Sequence, residues 1–210
     1  MYKRQELDPE DVMTWLQTGP LLVLAGDLEG YRHHCREMLR QFGDSDERPT
    51  IIVKACLLLP GTVDASGLPI NTLARALDEG SAPTWLYKWG FAALAQAAYR
   101  AGDAEKAVGW IHKCQEAQGY ADAPAVQALV LSLLAMAQHQ LGNRDEASEA
   151  LVQADTLVDE HLRKLASGEF KGWHDWLIAE VLRREATELI ARPAKEPTPE
   201  AKATANPKTE

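Results

Sequence analysis

Between Leu94 and Cys114 the chain reads LAQAAYRAGDAEKAVGWIHKC, and between Leu134 and Ala154 it reads LAMAQHQLGNRDEASEALVQA. In each stretch a helical pattern runs into a glycine turn, Ala101-Gly102-Asp103 or Leu141-Gly142-Asn143, and a second helical pattern starts at once. With the turn glycines aligned, Ala95 matches Ala135 and Ala107 matches Ala147, while Leu94 matches Leu134 and Ile111 matches Leu151. Small residues at fixed places let two helices of a pair approach closely, because the interaxial distance follows the side chains at the contact. A unit of this kind cannot bury its apolar face alone and stacks on its neighbours. The repeat therefore predicts an all-α array with turns at Gly26, Gly102 and Gly142 and no sheet.

The remaining elements follow from local signals. Asp8-Pro9 predicts a helix start, with Asp8 as N-cap and Pro9 in the first turn. Gly19-Pro20 predicts a kink. The AGDLEGYRHHC stretch parallels AGDAEKAVGWIHKC, with Tyr31 where Ala107 stands, so this first pair is expected to open its helix angle. Leu28–Phe42 is predicted helical. So is Ile51–Leu59, because no second strand exists to satisfy its backbone. Pro69–Glu79, Arg144–Ala166 and Trp173–Ala191 complete the set. Trp173, Leu177 and Val181 make one stripe, expected to cap the open end of the preceding repeat. Pro193 to Glu210 holds four prolines, several Lys and Glu residues and no aromatic. It cannot bury enough surface to offset ordering entropy, so it is expected to be disordered.

The 210 residues carry a formal charge of −9, which argues against nucleic-acid binding. Uninterrupted apolar runs such as Ala55–Leu59 reach only five residues, against the roughly 20 a membrane span requires. Cys35, Cys56 and Cys114 are odd in number and form no C-x-x-C pair, which predicts small buried hydrophobes in a reducing cytoplasm. Tyr2-Lys3-Arg4-Gln5 matches the translated end of a common sequencing adapter. Two readings stand for residues 1–7: an assembly scar in front of which the natural protein continues, or a genuine polar terminus.

LAGDLEGYRHHCREML, KACLLLPG, AAYRAGDAEKAVGWI, LLAMAQHQLG and GWHDWLIAEVLRREATELI together resemble a tetratricopeptide repeat (TPR) region of the planctomycete type. The likeness covers roughly residues 15 to 191. It implies a right-handed superhelical α-solenoid over residues 8–192, with the clearest repeats at 88–121 and 128–161, a tryptophan-rich C-terminal capping helix, and a disordered tail at 193–210. Such regions often stand behind a serine/threonine kinase domain. The chain itself has no Gly-rich loop, V-A-I-K, H-R-D or D-F-G.

Candidate chemistry is sparse, and no enzyme is expected. His33, His34 and Cys35 are adjacent and splay about 100° apart on a helix, so they cannot converge on one metal ion. His112, His139, His161 and His174 form no H-x-x-x-H pair and read as surface or groove residues. His174 and Asp175 are helix neighbours expected to point apart, with no nucleophile at a recognisable spacing. Arg32, Arg36 and Arg40 fall on one ridge, interleaved with Glu29 and Glu37, which reads as a mixed-charge solvated face.

The resemblance places the first helix of each repeat on the concave face. It marks Trp89, Ala92, Gln96, Tyr99 and Arg100 from one repeat, and Leu129, Ser132, Met136, His139 and Gln140 from the next. Ala92, Gln96, Ser132 and Met136 stand where TPRs that clamp C-terminal carboxylates carry Lys and Asn, so that ligand class does not fit. The expectation is a cytoplasmic, cofactor-free scaffold that binds a protein or peptide in this groove. The alternative is the substrate-recruiting C-terminal region of a larger signalling protein such as a kinase. Deleting Pro193–Glu210 should leave the melting temperature unchanged, measured by thermal denaturation, because that segment has nothing to pack.

Overall fold

Three glycine turns set the frame. At each one the helix ends with Gly26, Gly102 or Gly142 in the left-handed region, at φ of 78°, 81° and 86°. The same bond closes each turn: Asp27 N donates to Leu22 O, Asp103 N to Ala98 O, and Asn143 N to Gln138 O, at 2.9–3.0 Å. This is the Schellman arrangement, which satisfies the last carbonyls of one helix. The next residue starts the following helix, where Asp27 accepts from Gly30 N and Asp103 from Lys106 N. One short motif thus ends one helix and begins the next three times over.

The structure, a computed structural model, describes residues 11–43, 48–166 and 172–191. They form α1 (Val12–Leu24), α2 (Leu28–Phe42), α3 (Pro49–Cys56), α4 (Ile70–Asp78), α5 (Tyr87–Arg100), α6 (Ala104–Glu116), α7 (Pro124–Leu141), α8 (Arg144–Ala166) and α9 (Trp173–Ala191). Two 3-10 turns, Ala65–Gly67 and Thr84–Leu86, precede α4 and α5. No strand is present among the described residues, as the repeat pattern predicts.

Odd-numbered and even-numbered helices play different parts. α1, α3, α5, α7 and α9 touch in that order, and α9 touches α1, so the inner helices close a circle. α2, α4, α6 and α8 each pack outside their partners. In an open superhelix the first and last inner helices would not meet. α9 here packs on α7 and α8 on one side and on α1 on the other. It accordingly buries Trp176, Ile178, Ala179, Val181, Leu182 and Ala186, while Trp173 and Leu177 are only half-buried. Of the expected capping stripe, Val181 alone is fully buried.

Several boundaries differ from expectation for local reasons. Asp8 and Pro9 lie outside the described residues; the described cap is Asp11, which accepts from Met13 N and Thr14 Oγ1. Pro20 sits inside α1 and is buried. α3 begins earlier than expected, at Pro49, and stops at Cys56 rather than Leu59. Tyr31 helps to end it. Its hydroxyl donates to Ala55 O at 2.8 Å and accepts from Leu58 N at 3.0 Å. The bulky residue at the small-residue position is therefore fully buried and bonds across to the next inner helix. Cys35, Cys56 and Cys114 are free and buried.

Ala107 and Ala147 are fully buried on the outer helices of the two aligned repeats. Ala147→Leu should therefore lower stability by about 1–3 kcal/mol through overpacking. Urea denaturation checks this, the expected outcome being a lower midpoint with an unchanged slope.

Candidate functional site

The inner helices share one direction, so their ends gather at two mouths. The amino-terminal mouth opens into a cavity of about 510 Å³. Its walls are Met13 and Leu16 of α1, Pro49, Thr50, Ile51 and Lys54 of α3, Trp89 of α5, and His174 and Asp175 of α9, with Arg48, Pro83, Trp85 and Leu86 at the approaches. The carboxyl-terminal mouth holds a cavity of about 410 Å³. Val23 and Leu24 of α1, Leu59 and Pro60 beyond α3, Tyr99 of α5, and five residues of α9 between Val181 and Leu189 line it.

Each mouth carries one buried cation bound to α9. At the amino-terminal mouth Lys54 Nζ donates to Asp175 Oδ1 at 2.8 Å and lies 3.9 Å from the centroid of the Trp89 ring. His174 Nε2 lies 3.4 Å from the other Asp175 oxygen, so these helix neighbours do come together, contrary to expectation. Burial lowers the His174 pKa, and Asp175 only partly opposes that, so the imidazole is neutral at pH 7. At the other mouth Arg100 forms a bidentate pair with Glu185 and also donates to Leu57 O and Leu58 O at 2.9 and 2.7 Å. Burial raises the pKa of the adjacent Tyr99 hydroxyl, and the Glu185 charge raises it further.

The circle scatters the expected groove. Gln96, Ser132 and Met136 are fully buried, as are Ala92 and Leu129, so none of them offers a side chain to a peptide on the surface. Ser132 bonds back to Ala128 O at 2.8 Å. Gln96 is fully enclosed, and neither of its amide atoms has a hydrogen-bond partner among the described residues. Arg100 is consumed by Glu185 and the Leu57 and Leu58 carbonyls just beyond α3. Trp89 and Tyr99 are half-buried at opposite mouths. His139 is half-buried, and Gln140 is exposed, donating to Gly102 O in the neighbouring turn.

Two histidines pack on tryptophans. His34 is buried, stacked on Trp15 with centroids 5.0 Å apart, its Nε2 2.9 Å from Trp15 O. His161 stacks on Trp176 at 3.9 Å, tying α8 to α9. Arg32, Arg36 and Arg40 are exposed, and Arg40 pairs with Glu37. Among the described residues no group of three His, Cys, Asp or Glu side chains could hold a metal ion. No described helix is long and apolar enough to cross a membrane.

Sequence reasoning missed Trp85, Thr50 and Lys54. Trp85 is 64% exposed, the most exposed large hydrophobic among the described residues. A tryptophan in the punctuated stretch before a helix, outside any helical stripe, is the signal that could have found it.

No protein-family model matches the chain, and no curated protein matches it.

Two measurements probe the buried charges. Lys54→Ala strands Asp175 and should cost about 3–5 kcal/mol, whereas Lys54→Met with Asp175→Leu should recover most of the loss; chemical denaturation of the three proteins checks it. Burial pulls the His34 pKa from 6.5 down to about 4. Its stabilising contribution is therefore complete above pH 6.5 and lost as pH falls toward 4, by up to about 3 kcal/mol. His34→Gln should flatten the pH dependence of the urea midpoint across that window.

Proposed function

We propose that this chain is a non-catalytic, TPR-like binding module that receives a protein segment at its amino-terminal mouth. The observation that carries this reading is Trp85, 64% exposed beside a cavity lined by Met13, Leu16, Ile51, Leu86 and Trp89. Leaving an indole in water forgoes much of the transfer free energy of its burial. Exposed aromatics next to an apolar cavity are the commonest anchors of protein recognition. The cavity volume suits one or two large side chains, and the indole extends the contact outward along a bound segment.

The reading keeps the protein partner expected from the repeats and moves the contact from the inner face to the helix ends. Trp89 belongs to both versions. Gln96, Ser132 and Met136 leave the contact set because the circle encloses them. Arg100 leaves it because its donors are already taken.

Trp85→Ala should weaken capture of the native partner at least about tenfold, about 1.4 kcal/mol, with an unchanged melting temperature. Arg36→Ala, on the exposed face of α2, should change nothing. A pulldown from the source cell with the three proteins decides the matter. Normal capture by the Trp85 variant together with loss by the Arg36 variant would move the site to the outer face.

A further inference from the structure

The polar wall of the amino-terminal cavity is unbalanced. Thr50 lines the cavity, is only 4% exposed, and its hydroxyl has no hydrogen-bond partner among the described residues. It stands in the first turn of α3, where the N-cap residue Arg48 makes no side-chain cap bond and Pro49 has no N–H to offer. Arg48 itself is exposed at the approach. One turn further along the same face of α3 comes Lys54, an ammonium with three donors, of which Asp175 takes one.

Two nearby carboxylates among the described residues are already engaged. Asp11 caps α1 by accepting from Met13 N and Thr14 Oγ1, and Asp175 holds Lys54. The site thus offers a hydroxyl, a helix amino terminus, an ammonium and a guanidinium around an apolar cavity. A ligand complementary to it supplies an acceptor, and a negative charge is favoured by the α3 dipole and by Arg48.

We propose, resting on the recognition reading above, that the partner segment presents an acidic side chain beside a bulky apolar one. The apolar side chain enters between Trp85, Trp89, Met13 and Ile51. The carboxylate of the neighbouring Asp or Glu accepts from the Thr50 hydroxyl and faces Lys54 and Arg48.

The test uses the full chain and a displayed library of random peptides held at internal positions, selected in parallel on the wild type, on Trp85→Ala and on Thr50→Val. The expected result is a set of Trp85-dependent peptides enriched in Asp or Glu within a few residues of Trp, Phe or Leu. Thr50→Val should bind them at least about tenfold more weakly. Its melting temperature should stay equal or rise, because the replacement removes an unpaired buried hydroxyl without changing the shape.

Trp85-dependent peptides without acidic enrichment, or equal binding by Thr50→Val, would overturn the acidic anchor and leave the mouth reading in place. Absence of any Trp85-dependent peptide would overturn the mouth reading and the acidic anchor together.

Discussion

An arginine carried into a protein interior has to be matched there, and the way Arg100 is matched holds this structure together. Its guanidinium takes both carboxylate oxygens of Glu185 and the carbonyls of Leu57 and Leu58. One side chain thus joins the end of α5 and the chain just beyond α3 to α9. Ten residues earlier on α9, about 15 Å along its axis, Asp175 makes the corresponding bond to Lys54. Buried ion pairs add little net stability over an apolar substitute, but leaving one member unpaired costs several kcal/mol. Their effect is to fix the seating of α9 along the inner helices. Apolar burial of Trp176, Ile178, Val181 and Leu182 then supplies the free energy that keeps it there.

Closing the circle changes where recognition can occur. An inner face covered on all sides has no contact to offer, so the helix ends become the accessible features. The two ends differ in kind. At the carboxyl-terminal mouth Arg100 follows the helix dipole, a cation among carbonyls. At the amino-terminal mouth Lys54, in the last turn of α3, is held by Asp175 and the Trp89 ring. The first mouth is therefore saturated, while the second keeps the unmatched hydroxyl of Thr50 and an uncovered indole.

The turns and the helix pairs were legible because their causes are local. Gly26, Gly102 and Gly142 each supply a left-handed residue, and the Asp or Asn that follows starts the next helix. Leu28–Phe42, Arg144–Ala166 and Trp173–Ala191 match the residue patterns to the position. Closure was not legible, because it depends on pairs such as Arg100 with Glu185 and Lys54 with Asp175, separated by 85 and 121 residues. The groove residues transferred from the repeat pattern assumed an open inner face, so Gln96, Ser132 and Met136 came out buried. Tyr31 reads as a bulky intruder in sequence, yet its hydroxyl finds Ala55 O and Leu58 N only once α2 and α3 are packed.

Everything said here about the mouths depends on α9 meeting α1. Leu24 of α1 and Glu188 of α9 line the same carboxyl-terminal cavity, and the native cysteines are buried and free. Spin labels introduced at those two positions report the separation of α1 and α9 by electron–electron resonance in solution. The closed circle predicts one narrow distribution at short distance, and a broad or long distribution would contradict it.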